Sequence, residues 1–486
     1  MARKVMLLEF NELSPSLLER WMAEGKLPNF KRFYDRSHVF TAVADETDPD
    51  YLEPWIQWYS LHTGLSYRQH GVLHLTDGPK ASHKDIWQTL ADNGLKVGNC
   101  GSMNARALRA VDSFYLPDPW CTSETPHPTE LSAFHKVVTN RVQENSTAGT
   151  GALTLGDQGR FLAFLLGHGL RVSTLWAVAR QLWSDTLLRQ ETTWKRVVLL
   201  DKMQMDLFRY YWRRYQPDFA TFFLNSTAHY QHGYWHCLFP ESFASPADPA
   251  QLRRFGGAIL FGYQEMDRLL AAFFEFERQD VMLILSTALS QHANTRTERP
   301  YYRPRDARRL LTALDIHPQM LQPVMSEQYS GRFADQSAAD QARKRLEGLS
   351  VNGLPLFDFA PAPPNTVFFG CDIHEAIDDS ARIEGLDASF ADIFYVLPHT
   401  KSGVHHPDGV LWMKNGEHRV HTEKVSILDV VPTLLEHFRI DRHRVDPTGQ
   451  MQGRSLLPLL TGATATEPAH PDRVALRAAV QRGRDA

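Results

Sequence analysis

Cysteine is scarce in this chain of 486 residues: Cys100, Cys121, Cys237 and Cys371 are scattered and never form a C-x-x-C pair. That spacing speaks against a thiolate metal site and against a disulfide framework. No uninterrupted apolar run approaches the roughly 18 residues a membrane span needs. The stretch Phe161–Leu166 comes nearest and is broken by Gly167-His-Gly-Leu-Arg171. The N-terminus, Met1-Ala-Arg-Lys4, shows no secretory charge-and-apolar pattern and runs straight into a strand-like segment, so a cytoplasmic protein is expected. Neither sign of charge dominates. A net charge of -4 gives no reason to expect nucleic acid or an acidic membrane as partner. There is no internal repeat. What the chain does hold is 22 His, which tilts expectation toward imidazole chemistry.

Lys4–Phe10 is a short continuous apolar run, the mark of a strand buried on both faces. It leads through Asn11-Glu-Leu-Ser14 to an amphipathic helix, with Ser14 as cap and Pro15 at the first helical position. Asp85–Asn93 reads as a helix ended by Gly94, and Lys96–Cys100 as the next strand. Asp218–Leu224 and Val281–Leu285 are further buried strands followed by polar loops. This alternation predicts an α/β fold: a doubly wound, mostly parallel sheet with helices on both faces and a site at the carboxyl ends of its strands. Leu162–Leu182 and Trp194–Tyr215 carry helical periodicity. The expected organisation is a core at 1–120, a helical insertion or cap at 121–212, core again at 213–305, an irregular insertion at 306–364 ending in a Pro-rich linker, a C-terminal core part at 365–462 and a fraying tail at 463–486.

Five segments occur in a recognisable order. They are Leu8-Glu-Phe-Asn-Glu-Leu-Ser-Pro-Ser-Leu-Leu18 with Met22-Ala-Glu-Gly-Lys-Leu-Pro-Asn-Phe30; Trp58-Tyr-Ser-Leu-His-Thr-Gly64 with Gln69-His-Gly71; Pro217-Asp-Phe-Ala-Thr-Phe-Phe-Leu-Asn225 with Ala228-His-Tyr-Gln-His232; Gly403-Val-His-His-Pro-Asp-Gly409; and Asp429-Val-Val-Pro-Thr-Leu-Leu435 with Gly453-Arg-Ser-Leu-Leu-Pro458. Together they resemble the alkaline-phosphatase superfamily, in particular its type I phosphodiesterase/nucleotide pyrophosphatase and sulfatase branches. The resemblance implies an alkaline-phosphatase-like fold with a two-metal site built from three Asp and three His around a Thr or Ser nucleophile. Hard divalent ions need anionic oxygen ligands, and here most of those positions are edited. The first Asp corresponds to Asn11, the second to Ala228, and the Ser-Asp-His-Gly segment to Ser286-Thr-Ala-Leu289. His232 and His405 persist. The nucleophile position falls on Pro54.

The expected function is therefore a divergent hydrolase or transferase acting on a phosphate or sulfate ester, a small molecule or carbohydrate such as a nucleotide-sugar or polysaccharide intermediate, with a reduced metal site. The rival expectation is a catalytically inactive ligand-binding or scaffold protein. His232 and His405, with Asn11 or Glu9, are the expected ligands of one divalent ion, zinc or manganese, though a site without metal is the other possibility; Glu12 and Glu53 also lie near the strand ends. Glu53 or His229 is the expected general base. Asn104, Arg106, Arg296, Arg299 and Trp58 are expected to bind substrate, the arginines by gripping an anion and the indole by stacking. Core packing explains the indole equally well.

Overall fold

The computed structural model describes residues 3–461 apart from 109–111, 122, 147–153, 188–190, 244–246, 296–299, 324–326, 361 and 398–401. The apolar run at the N-terminus forms strand β1 (Lys4–Phe10), and it lies near the middle of the main sheet. The other strands are β2 (Ser37–Val43), β3 (Val97–Cys100), β4 (Phe114–Leu116), β5 (Phe219–Leu224) and β6 (Val281–Ser286). From β6 the order runs β6, β1, β5, β3, β4, all parallel. On the other side of β6 the strand Asp408–Lys414 runs antiparallel to both β6 and β2. The short strands Arg419–Val420 and Val425–Ser426 complete the edge beside β2. This is the mixed α/β, mostly parallel sheet that the alternating pattern predicts.

Side chains alternate across β1 because successive Cβ atoms of a strand point to opposite faces. Met6, Leu8 and Phe10 join one core, covered by the helices Pro15–Ala23, Val197–Tyr215, Ser226–Leu238 and Ala258–Glu277. Val5 and Leu7 join the other, covered by Pro54–Thr63, Ile86–Asp92 and Val430–His437. Pro15 and Pro54 each stand at the start of their helices, where a missing N–H costs nothing.

The helical periodicity at Leu162–Leu182 resolves into two helices, Leu155–Gly167 and Val172–Leu182. The break falls where Gly169 takes a positive φ of 90°, which the absence of a side chain permits. Residues 306–364, expected to be irregular, contain the helices Ala307–Ala313 and Gln336–Glu347 and several short strands. Four antiparallel strands there run in the order Phe357–Ala360, Thr366–Cys371, Gln328–Arg332, Met320–Pro323. They pack on a separate apolar cluster that includes Tyr329, Leu346, Phe357, Phe369 and Phe394. The tail expected at 463–486 lies outside the described residues. Among the described residues, no helix is long and apolar enough to cross a membrane.

One acidic residue inside β1 tests the strand assignment. By alternation Glu9 shares the face of Val5 and Leu7, and helix Pro54–Thr63 brings His62 to within 2.8 Å of its carboxylate. Both side chains are sealed from solvent. Truncating one partner of such a pair strands the other in a low-dielectric interior. His62→Ala is expected to destabilise by about 3–5 kcal/mol in urea unfolding, whereas Glu9→Met combined with His62→Leu recovers most of the loss.

Candidate metal centre

Five chain segments deliver polar side chains to the carboxyl ends of the central strands. β1 ends at Phe10, and the next two residues are Asn11 and Glu12. β5 is followed by helix Ser226–Leu238, which carries His232 two turns in. β6 is followed by strand β7 (Ser290–Ala293), which pairs antiparallel with Gly403–His406 and so fixes His405 opposite Gln291. β2 leads through a loop to Glu53, the residue capping helix Pro54–Thr63.

Glu12 is the hub. Its φ of 63° lies in the left-handed region, which costs a non-glycine residue roughly 1–2 kcal/mol. The backbone there is clamped: Gln231 Nε2 donates to the Glu12 carbonyl at 2.6 Å, and Tyr263 holds Gln231 while accepting from the Ser14 N–H. The turn drives the carboxylate into a buried pocket. One oxygen accepts from Asn11 Nδ2 at 2.7 Å, and the other accepts from Gln291 Nε2. That second oxygen also lies 3.2 Å from His232 Nε2 and 3.5 Å from His405 Nε2. The opposite nitrogen of His405 faces Glu53 at 3.6 Å. Close packing makes this possible. A Cβ on Gly403 would come within 2.4 Å of Gln291 Oε1 and 2.5 Å of the Trp235 ring, so only glycine lets this strand lie against the helix.

Burial by itself would raise the Glu12 pKa. The imidazoles of His405 and His232 outweigh it and hold the carboxyl well below the usual range. Burial would lower His405, but the Glu12 carboxylate, with a smaller contribution from Glu53, raises it to about 9.

Glu12, His232 and His405 offer ligand atoms within 4.8 Å of one another. One carboxylate and two imidazoles with open positions match the donor set of a catalytic zinc site. The buried Nε2 of His405 has no hydrogen-bond partner, so it is aimed into the cluster with a lone pair or proton to place. The ring also bonds the Leu52 backbone, and Glu53 adds a nearby negative charge at 3.6 Å. The residues present fit a single divalent ion.

The structure redistributes the other expected site residues. Glu9, expected as a ligand, is committed to His62 on the far face of β1. Asn11 is not aimed as a ligand: its Oδ1 accepts from Trp58 Nε1, and its Nδ2 bonds both Glu12 and Asn225 Oδ1. It orients Glu12 instead. Trp58, expected to stack on substrate, is fully buried and serves that network. Asn104, also buried, accepts from the Gly78 N–H and donates to the Trp55 and His74 carbonyls. It stitches loops together and has no free edge for substrate. Arg106 donates to the Pro79 carbonyl. Arg296 and Arg299 lie outside the described residues. His229 sits one turn before His232 on the same helix and is exposed. The sequence offers Glu12, beside Glu9 and Glu53, as a carboxylate for a single-metal site, but not Gln291 or Asn225 as supports. The signal for Glu12 was its place beside Asn11, at the end of a buried strand.

No family model matches this sequence, and no curated protein matches it. Solved structures do. The chain is similar to phosphonoacetate hydrolase from Sinorhizobium meliloti 1021 in complex with phosphonoformate, at 13% identity over 88% of this chain and 94% of that one, with a TM-score of 0.41. It is similar to alkaline phosphatase PafA at 13% identity, over 94% and 99% of the two chains, with a TM-score of 0.46. It is similar to murine ectonucleotide pyrophosphatase/phosphodiesterase 5 at 12% identity, over 90% and 96%, with a TM-score of 0.38.

The raised pKa of His405 has a sign that can be checked. Its stabilising contribution is complete below the ordinary value of 6.5 and is lost as pH rises through about 9. The Glu12 contribution is lost only in acid, as pH falls below 4.5. In chelator-treated protein the melting temperature is therefore expected to fall between about pH 7 and about pH 9.5, and Glu12→Gln is expected to flatten that slope. Melts followed by circular dichroism across this range provide the check.

Proposed function

We propose that this chain is a divergent enzyme that hydrolyses or transfers a phosphate or sulfate ester, using one divalent ion held by Glu12, His232 and His405. The observation that carries the reading is the convergence of these three side chains, from three separate segments, on one buried point at the strand ends. The order of the sequence motifs supports the ester class. A bound zinc or manganese ion would supply charge neutralisation for the ester oxygens and a lowered pKa for water.

The chain's own groups divide the remaining work. Asn11 and Gln291 fix the Glu12 carboxylate. Glu53 places a negative charge beside His405, and its partly exposed carboxylate is the first candidate to take a proton from an attacking water. His229 is the second candidate for that role. Pro54 heads its helix where a hydroxyl nucleophile would stand, so water or a bound acceptor does the attacking. The Trp58 indole, expected to stack on substrate, is engaged elsewhere, donating to Asn11. The substrate is accordingly stated only as an ester.

A second reading, a catalytically inactive ligand cradle, is favoured by one observation. Asn11, Gln291 and two imidazoles already compensate the Glu12 charge, so the pocket is self-consistent without an ion.

Calorimetric titration of zinc or manganese into chelator-treated protein is expected to show one site, with proton release and affinity rising with pH. Glu12→Ala and His232→Ala are expected to abolish binding, and Asn11→Ala to weaken it by about 10–100-fold. Turnover of nitrophenyl phosphate, bis(nitrophenyl) phosphate or nitrophenyl sulfate that follows metal loading supports the enzyme. Metal binding with silence on all three esters favours the cradle, and no binding at alkaline pH removes the metal from the proposal.

A further inference from the structure

An amphipathic helix lying on a globular body turns its apolar stripe inward. Helix Val172–Leu182 does the reverse. Its protein side presents Thr174, whose hydroxyl donates to Asp206 at 2.6 Å, with half-buried Ala177, Val178 and Gln181. Its solvent side presents Val172, Leu175, Trp176, Ala179 and Leu182, and the stripe continues into Trp183 of the following wide turn. These positions recur at i, i+3, i+4, i+7, i+10 and i+11, a single stripe on a helix. Val172 is 81% exposed, Trp176 70% and Trp183 59%. On the preceding helix, Leu155, Leu162 and Leu166 are exposed at i, i+7 and i+11. Single apolar side chains on a surface are ordinary, but a continuous stripe carrying two indoles marks a contact surface.

Within the segment that carries the stripe, the exposed charges have one sign. Between Leu155 and Leu187 the exposed ionic residues are Arg160, Arg171 and Arg180. The two acids of the segment are turned inward and matched, Asp157 by Lys136 and Arg160, and Asp185 by Arg196. The overall net charge of -4 does not decide what such a surface attracts, because salt screens charges beyond about 10 Å. An isologous contact between two copies would bring both sets of arginines into one interface with no exposed carboxylate from this segment to match them.

We propose that the helices Leu155–Gly167 and Val172–Leu182 seat this protein on an anionic lipid surface. Trp176 and Trp183 lie at the water–acyl boundary, where indoles are favoured. The leucines and Val172 enter the acyl region, and Arg171 and Arg180 meet lipid phosphates. Such attachment is interfacial and needs no spanning helix.

The test is co-flotation of the full chain with phosphatidylcholine vesicles made with or without phosphatidylglycerol. The protein is expected to float with the anionic vesicles, less at high salt, and to stay behind with neutral ones. Trp176→Ser with Trp183→Ser is expected to lower the bound fraction on the order of tenfold. Arg171→Gln with Arg180→Gln is expected to remove the preference for phosphatidylglycerol. These positions are exposed, so unchanged melting temperatures confirm that the variants fold. Absence of flotation with either vesicle overturns the proposal, as does binding that the tryptophan pair leaves intact. Dimerisation in sedimentation equilibrium that the tryptophan pair abolishes, without flotation, assigns the stripe to a second copy and overturns it as well.

Discussion

A carboxylate taken out of water must be compensated by hydrogen-bond donors or positive charge, and the strand-end region is organised around doing this for Glu12. Asn11 and Gln291 supply donors, His405 supplies positive charge, and His232 faces the same oxygen at 3.2 Å. Each compensating group comes from a different part of the chain, so the match exists only when β1, β7, the helix after β5 and the strand at Gly403 are all in place. The left-handed backbone at Glu12 is tolerated because Gln231 and Tyr263 hold it from behind. Local strain, packing and electrostatics thus converge on one side chain.

That arrangement places unequal demands on its members. Glu12 is deeply buried and Glu53 partly open to solvent. His405 stands between them, with one ring nitrogen toward each. A ring so placed transmits a change of charge at either carboxylate to the other.

Much of the central sheet was legible from the sequence because strands buried on both faces read as continuous apolar runs. β1, β5 and β6 are such runs. The elements between 302 and 396 were not legible in the same way: their strands are mostly two to six residues long and half-exposed, too short for alternation to emerge from the surrounding polar chain. In the site, His232 and His405 stood out by position, and Asn11 marked the correct strand end. The error at Glu9 came from reading proximity along the chain as proximity in space. Alternation sends Glu9 to the opposite face, toward His62. The position of Glu12 at a strand end was legible, but its burial depends on a positive φ that glutamate seldom adopts.

The sheet order has a consequence for how this polypeptide emerges from the ribosome. β2 is complete by Val43, yet its sheet partners are Asp408–Lys414, Arg419–Val420 and Val425–Ser426. At about 5–20 residues per second of synthesis, its hydrogen-bonding edges wait tens of seconds for their neighbours. During that interval a nascent chain with two open strand edges is exposed to unwanted pairing, until residues 408–426 close the sheet.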